Sequence, residues 1–265
     1  MKKDFSVLMS VYYKERPEYL KKSIESIINQ TVAPKEIVIV KDGKLTKELD
    51  EIIDNYDVKK IELKENVGLG KALKIGVENC KYDIIARMDS DDISVPNRFE
   101  TQLKEFDKDP QLVLVGGQVH EFDENNLGRK RLVPTDKDEI IKFSKKRNPF
   151  NHMTVMFKKE PVLEVGNYHH MQYFEDYYLW VLLLKNNYKL INVNDVLVYV
   201  RGGSSLTKKR GGIKYINSTY NFEKSIYKLK YIKFNEFVLN LMIRIPICLV
   251  PNKIRRSVYT RFLRN

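Results

Sequence analysis

The chain has 265 residues, of which 43% are hydrophobic and 11% aromatic, so its composition predicts a folded protein with a sizeable core and excludes a disordered one. The formal net charge of +12 is concentrated at one end: residues 201–265 contain 15 Lys and Arg but two Glu, whereas the first 200 residues are nearly neutral. Two cysteines without a pairing pattern exclude a disulfide framework and favour a reducing, cytoplasmic setting. No run of 18 apolar residues occurs, so the sequence predicts no membrane-spanning helix.

The first 90 residues alternate strand-like and helix-like patterns. The predicted strands lie at 5–12, 36–40, 58–63 and 82–88. Three helices are predicted between them: the first begins at Pro17, and the other two span about 46–56 and 69–79. This βαβαβαβ order predicts an α/β fold, with a mostly parallel sheet and helices on both of its faces. Ligands of such sheets bind beyond the carboxyl ends of the strands.

The second half has a mixed pattern. Helices are predicted after Pro96 and over Glu175–Lys185, and strands over Leu112–Phe122, 152–157 and about 189–200. Beyond Gly212 the chain is predicted to be helical, basic and aromatic. We therefore expect a catalytic domain over residues 1–212 and a basic helical extension over residues 213–265.

The most informative motif is Arg87-Met88-Asp89-Ser90-Asp91-Asp92, which begins in the last residues of the fourth predicted strand and continues past its end. In extended backbone, Asp89 and Asp91 point to the same side. Two carboxylates at a strand end suit a divalent cation such as Mn²⁺ or Mg²⁺, which would neutralise the charge of a departing nucleotide diphosphate. The alternative is a solvated acidic turn, but its position after an apolar strand favours the metal site.

Several segments, in this order and spacing, resemble family 2 glycosyltransferases. They are Ser6–Tyr12, Gln30-Thr31, Pro34, Glu36–Val40, Asp42-Gly43, Asn66–Leu73, Arg87–Asp92, Pro96-x-Arg98 and Glu175-Asp176. The resemblance covers about residues 5–205, and the subset of the family that the chain looks most like contains bacterial exopolysaccharide and O-antigen enzymes, including amylovoran-like galactosyltransferases. It implies a GT-A-type, Rossmann-like fold and an inverting hexosyltransferase. The donor would be a UDP-sugar, with galactose or a related hexose as the expected sugar. The acceptor would be a lipid-pyrophosphate-linked saccharide.

The resemblance also implies roles for individual residues. Asp42 would contact the uracil ring in a pocket that Val11 and Tyr12 line. Asp89 would lie near the ribose or metal, Asp91 would ligate the metal, and Asp176 would be the catalytic base. Further predicted contacts with the donor are Asn66, Lys71 and Arg87, and predicted contacts with the acceptor are Glu175, His152 and His170.

Each of these assignments has a structural alternative. Asp42 could form an Asx-turn, and the carboxylates of Glu175 and Asp176 could stabilise only the start of a helix. Arg87 could pair with an acidic neighbour, and His152 could be a packed histidine. One base suffices for inversion, because the acceptor hydroxyl needs to lose a proton while metal-bound diphosphate leaves without an acid.

The basic tail has two predicted roles. Arg201 and Arg210 flank a glycine-rich segment that could close over the donor diphosphate, the alternative being a solvated linker. The apolar residues between Phe237 and Val250, flanked by cations, suit the interface of an anionic membrane. We therefore expect peripheral attachment to the inner face of the cell membrane. The alternative is a helix packed on the catalytic domain or at a homodimer interface.

Two other functions compete with this interpretation. A nucleotidyltransferase that makes nucleotide-sugars would need a glycine-rich loop after the first strand, where this chain has Tyr13-Lys14-Glu15-Arg16. A nucleic-acid-binding protein could use the basic tail, but no recognition motif accompanies the charge. We expect no nucleic-acid partner.

Overall fold

The computed structural model describes residues 3–122, 127–202 and 211–251. The strands in these ranges are β1 (Phe5–Val11), β2 (Glu36–Lys41), β3 (Lys59–Glu62), β4 (Ile84–Met88), β5 (Ile93–Ser94), β6 (Leu112–Phe122), β7 (Leu127–Arg131), β8 (Met156–Lys158) and β9 (Lys189–Arg201). The helices are α1 (Pro17–Ile28), α2 (Lys47–Asp54), α3 (Leu69–Asn79), α4 (Arg98–Lys108), α5 (Lys137–Ser144), α6 (Lys159–Glu164), α7 (Glu175–Lys185), α8 (Ile213–Lys228) and α9 (Phe234–Leu249).

The strands form one sheet in the order β3-β2-β1-β4-β8-β6-β9-β5, and β7 pairs with β6. The first four strands are parallel, as their alternation with helices predicts. The short β8 lies between β4 and β6 and is antiparallel to both, while β6 and β9 are parallel to each other. The α/β fold class is therefore confirmed, with a mixed rather than parallel second half.

The prediction of one strand over residues 152–157 was wrong in its first half, because His152–Thr154 forms a turn of 3-10 helix. The Asn151 carbonyl accepts hydrogen bonds from the Thr154 N–H at 2.9 Å and from the Thr154 hydroxyl at 2.7 Å. These local bonds replace a strand ladder. They also curl the chain at the edge of the site described below.

Helices cover both faces of the sheet, as predicted. Alternate residues of β1 face opposite ways: Val7 and Met9 join the core beneath α1, α2 and α4, whereas Leu8 joins the core beneath α3 and α7. The two cores explain why β1, β2 and β4 are almost continuous apolar runs, since strands buried on both faces need apolar side chains on both.

The C-terminal helices pack on the rest of the chain. Phe222 and Ile226 of α8 join a third buried cluster with Tyr177 and Val181 of α7. One side of α9 also makes such a contact, since Asn240 Nδ2 donates to the Lys145 carbonyl at 2.8 Å. In the ranges that the structure describes, no helix combines the length and apolar character needed to cross a bilayer.

Gly76 allows α3 to lie directly against the sheet. A Cβ atom at this position would be 2.3 Å from Leu8 Cδ1 and 3.0 Å from Val40 Cγ2. We predict that Gly76→Ala destabilises the protein by about 1–3 kcal/mol, although the gain in helix propensity alone would stabilise it by about 1 kcal/mol. Urea unfolding measures the change, with the exposed Glu78→Ala on the same helix as control. An unchanged or higher unfolding midpoint for Gly76→Ala would contradict the close packing.

Candidate active site

The acidic turn, Asp89–Asp92, begins where β4 ends. Carboxylate oxygens of Asp89, Asp91 and Asp92 all lie within 4.8 Å of one another. The Ser23 hydroxyl of α1 donates to the Asp89 carbonyl at 2.8 Å, and the N–H of Arg201 at the end of β9 donates to the Asp92 carboxylate at 2.8 Å. The turn is thus fixed from both sides, and it gathers three carboxylates where the sequence predicted two.

The acidic turn holds an excess of negative charge, which raises the pKa values of two of its carboxyl groups. Burial, followed by the charges of Asp89 and Glu15, raises the pKa of Asp91 to about 7. Burial, Asp89 and Asp91 raise the pKa of Asp92 well above its usual range. Hard oxygen donors that repel one another at neutral pH are the donor set that a divalent cation such as Mn²⁺ or Mg²⁺ prefers.

Two buried arginines lie beside and beneath this turn. The guanidinium of Arg87 pairs with the Asp89 carboxylate and is only 2% exposed. Arg98, fully buried in α4, donates to the Arg87 carbonyl at 2.7 Å and contacts Met88 Sδ at 3.1 Å. The pairing of Arg87 with an acidic neighbour was the alternative to its contact with the nucleotide, and that contact remains a prediction. Arg98 holds the end of β4, which explains its place in the motif.

The predicted uracil pocket lies at the end of β2. The Asp42 carboxylate accepts hydrogen bonds from the Val67 and Gly68 N–H groups at 2.7 and 3.1 Å. Asp42 therefore shapes the loop before α3, and each oxygen retains a second lone pair for a ligand. The Asn66 side chain donates to the Asp42 carbonyl at 3.3 Å, and the Asp42 N–H donates to the Val11 carbonyl at 2.8 Å.

Three of the other predicted contacts are solvent-accessible. Tyr12 follows β1 and is 36% exposed, Lys71 is exposed in the first turn of α3, and His170 is exposed before α7. Their roles remain predictions. Arg210 lies outside the described residues. Arg201 lies inside them, with its guanidinium 3.7 Å from the Tyr19 ring centre and its Nε donating to the Asp91 carbonyl at 3.1 Å.

Asp176 lies in the first turn of α7. One oxygen accepts a hydrogen bond from Asn148 Nδ2 at 2.7 Å, and the other accepts one from the Tyr177 N–H at 2.7 Å. Burial raises the pKa of Asp176, while Asn148 and the Tyr177 N–H oppose that change. The carboxylate is therefore both positioned and made more basic than a solvated aspartate, as a general base requires.

Glu175, the neighbour of Asp176, packs between the first turn of α7, where it lies, and the first turn of α3. A Cβ atom on Gly70 of α3 would lie 2.5 Å from Glu175 Cγ, so the first turns of α3 and α7 are in contact. Burial, and then the charge of Asp176, raises the pKa of Glu175 to about 7.

Tyr168 is buried, and several charged groups of the site act on its hydroxyl. These groups are Arg87, Asp176, Asp89 and Glu175. The same hydroxyl lies 2.8 Å from Nε2 of His152, which packs edge-on against Trp180. Burial and the charge of Arg87 lower the pKa of His152 well below its usual range, so its imidazole is neutral. These are the contacts of a packed histidine, and its role at the acceptor remains a prediction.

Sequence reasoning missed several residues of this site. Asp92 was inside the motif, but the extended backbone assumed there directs it away from Asp89 and Asp91. Tyr168 and Asn148 belong to no motif with a recognisable spacing. Glu15 accepts a hydrogen bond from the Ser90 hydroxyl across 75 positions of sequence, a contact that only the folded chain reveals.

Comparisons with known proteins agree with this fold. The fold is similar to that of a solved glycosyltransferase, the mannosyltransferase PcManGT from Pyrobaculum calidifontis in complex with GDP-Man and Mn²⁺. The TM-score is 0.64 at 15% identity, over 99% of this chain and 76% of that one. The model of glycosyl transferase family 2 matches residues 6–171, and the chain belongs to this family.

Two relatives extend the comparison over almost the whole chain. The UDP-Gal:alpha-D-GlcNAc-diphosphoundecaprenol beta-1,3-galactosyltransferase of Escherichia coli is 39% identical over 98% of this chain and 96% of its own length. The amylovoran biosynthesis glycosyltransferase AmsE of Erwinia amylovora is 39% identical over 97% of this chain and 98% of its own length. The chain is therefore a hexosyltransferase, and the alternative of a nucleotidyltransferase is rejected.

The raised pKa of Glu175 makes a prediction about stability. Between pH 4.5 and about 7, folded Glu175 keeps a proton that the unfolded chain releases, so the free energy of unfolding falls as pH rises. We predict that Glu175→Gln removes this loss and is more stable than the wild type at pH 8 by about 1–3 kcal/mol, since one pKa unit corresponds to about 1.4 kcal/mol.

Thermal unfolding at pH 5 and pH 8 measures the difference between the two proteins. The exposed Glu160→Gln, in the first turn of α6, controls for the loss of a charge at a helix start. An advantage of Glu175→Gln that is equal at both pH values would contradict the burial of this carboxyl.

Proposed function

We propose that this family 2 enzyme transfers galactose or a related hexose from a UDP-sugar to a lipid-pyrophosphate-linked saccharide, with inversion, in the synthesis of bacterial surface polysaccharide. The observation that carries the proposal is the acidic turn at the end of β4, where carboxylate oxygens of three aspartates lie within 4.8 Å of one another. The name of the Escherichia coli relative, which matches almost from end to end, gives the donor as UDP-Gal and the acceptor as a GlcNAc-diphosphoundecaprenol. The substrates proposed here are of the same classes.

The acidic turn fits a divalent metal on the chemistry of its donors. Its three carboxylates lie within 4.8 Å of one another, and burial together with mutual repulsion disfavours their charged forms. Asp89 and Asp91 would hold Mn²⁺ or Mg²⁺, and Asp92, tied to the Arg201 N–H, would support them. The bound cation would neutralise charge on the departing nucleotide diphosphate.

Asp176 would act as the base. Its hydrogen bonds with Asn148 and the Tyr177 N–H fix the orientation of the carboxylate, and its raised pKa favours capture of the proton of the acceptor hydroxyl. Asp42 would accept a hydrogen bond from the uracil ring through its remaining lone pairs. Glu175, beside Asp176, would face the acceptor sugar.

The metal and the base are separable by experiment. We predict that Asp176→Asn binds UDP-galactose with Mn²⁺ as the wild type does but lowers kcat roughly 100- to 10,000-fold, because the amide cannot take the proton. Asp91→Asn should instead lose the thermal stabilisation by UDP with Mn²⁺. Calorimetry and release of UDP in the presence of a GlcNAc-diphosphate lipid measure the two effects.

The exposed Asp195→Asn, in β9, is the matched control for both substitutions. Wild-type turnover by Asp176→Asn would refute the assignment of the base. Full stabilisation of Asp91→Asn by UDP with Mn²⁺ would refute the assignment of the metal ligand.

Residues 213–265 would form the second unit and attach the enzyme to an anionic membrane surface. Along α9, apolar residues face solvent at helical spacing: Leu239, Met242, Ile243 and Leu249, of which Met242 and Leu249 are 61% and 67% exposed. The opposite side of α9 carries the buried Asn240 and Cys248. Exposed lysines precede α9 in the sequence at Lys228, Lys230 and Lys233. An exposed apolar stripe on a segment rich in cations suits the headgroup region of an anionic bilayer.

We predict that Leu239→Gln, Met242→Gln and Ile243→Gln, combined in the full chain, abolish flotation with phosphatidylglycerol vesicles. These substitutions remove the exposed apolar surface that the membrane would bury. The wild type should float with these vesicles and much less with phosphatidylcholine alone. A control triple variant, Ile28→Gln, Leu132→Gln and Leu163→Gln, removes exposed apolar residues elsewhere and should float normally. Equal flotation of both variants would contradict the membrane role of α9.

A further inference from the structure

The side chain of Asn148, which no motif includes, contacts the carboxylate of Asp176. Its Nδ2 donates to Asp176 at 2.7 Å, and its Oδ1 accepts the Phe150 N–H at 3.2 Å. The second bond fixes the orientation of the amide, because the oxygen must face an N–H and the NH₂ group must then face the carboxylate. Asn148 therefore presents a donor, and not an acceptor, to Asp176.

The segment that carries Asn148 is held from outside by side chains of two other helices. It follows the end of α5, where the last carbonyls of a helix have no partner within the helix. The Ser144 carbonyl accepts a hydrogen bond from the Tyr177 hydroxyl at 2.7 Å, the Lys145 carbonyl from Asn240 Nδ2 at 2.8 Å, and the Lys146 carbonyl from an Arg244 Nη at 2.7 Å. Of these three successive carbonyls, one therefore accepts a hydrogen bond from a side chain of α7 and two accept hydrogen bonds from side chains of α9.

Asn240 and Arg244 are themselves fixed in position. Glu223 of α8, which is fully buried, pairs with Arg244 at 3.3 Å and accepts a hydrogen bond from Asn240 at 3.0 Å. The Arg244 guanidinium lies 5.7 Å from the ring centre of Tyr177 and 5.8 Å from that of Phe222. A buried charge that has one ionic partner and aromatic neighbours keeps a defined orientation.

We propose that Asn148 is a positioning residue for the carboxylate of Asp176, and that Asn240 and Arg244 of α9 hold the segment that presents Asn148. The C-terminal helices would then serve the reaction as well as the attachment of the enzyme. This inference rests on the proposed role of Asp176 as the base. Other groups that face Asp176 are Glu175 of α7, Arg87 of β4, Arg131 of β7 and Tyr168, and none of the substitutions below alters them.

The test is the pH dependence of kcat, measured on the full chain with UDP-galactose, Mn²⁺ and a GlcNAc-diphosphate lipid. Asn148→Ala removes a donor that favours the charged carboxylate, so the acidic limb of kcat should move up by about one pH unit. The KM for UDP-galactose should stay within about twofold of the wild type, because the donor site is untouched. The isosteric Asn148→Asp places a second carboxylate beside Asp176 and should move the limb further.

A purely structural role of Asn148 predicts a different result. It would lower kcat by the same factor at every pH, or lower the unfolding temperature with no movement of the limb, and either result would overturn the proposal. Titration of the Asp176 carboxyl by ¹³C NMR, assigned with Asp176→Asn, gives the same comparison without turnover. If the wild type transfers no sugar, the proposed function fails, while the NMR shift in Asn148→Ala still decides the contact.

The contribution of α9 is tested with Asn240→Ala and with Arg244→Lys, which keeps a charge beside Glu223 but loses the planar donor. Both should move the acidic limb in the direction of Asn148→Ala, with donor binding unchanged. The exposed Asn235→Ala on the same helix is the matched control. Limbs at the wild-type position in both variants, together with a shifted limb in Asn148→Ala, would overturn the link to α9.

Discussion

The gathering of three carboxylates at the end of β4 is the constraint on which the site depends. Like charges within 4.8 Å repel one another, and the low polarity around them increases the cost. The fold opposes this repulsion with the guanidinium of Arg87, with the Arg201 N–H, and with Arg98, which holds the backbone beneath the turn. Part of the packing around β4 therefore serves to hold a cluster of negative charge in place.

The second acidic group is treated differently. Asp176 is surrounded by hydrogen-bond donors from neutral groups, the Asn148 amide and the Tyr177 N–H, and it lies in the first turn of α7, where the helix dipole favours negative charge. One fold thus provides a carboxylate cluster suited to a metal and a single carboxylate suited to a proton. Burial raises the pKa of the Tyr168 hydroxyl, and the charges of Asp176 and Asp89 act in the same direction, so this hydroxyl stays neutral.

Much of this arrangement follows from local sequence. The bounds of β6 and α7 agree with the predictions, because a long apolar run and a helical apolar face are each encoded in consecutive residues. The positions of Asp42 and of the acidic turn at strand ends follow from the βα alternation. What could not be predicted depends on distant partners: the antiparallel placement of β8, the 3-10 turn set by Asn151 and Thr154, and the contacts of Asn148 with Asp176. Asp92 was missed because the turn leaves the extended conformation after Met88.

The end of β9 carries one more consequence. Arg201 is the last residue of the sheet, and its backbone and side chain both contact the acidic turn, while its guanidinium lies over Tyr19 of α1. The chain therefore departs for its C-terminal helices from a point already anchored at the carboxylates. The end of the sheet and the geometry of the acidic turn are thus coupled through one residue, which precedes the C-terminal helices.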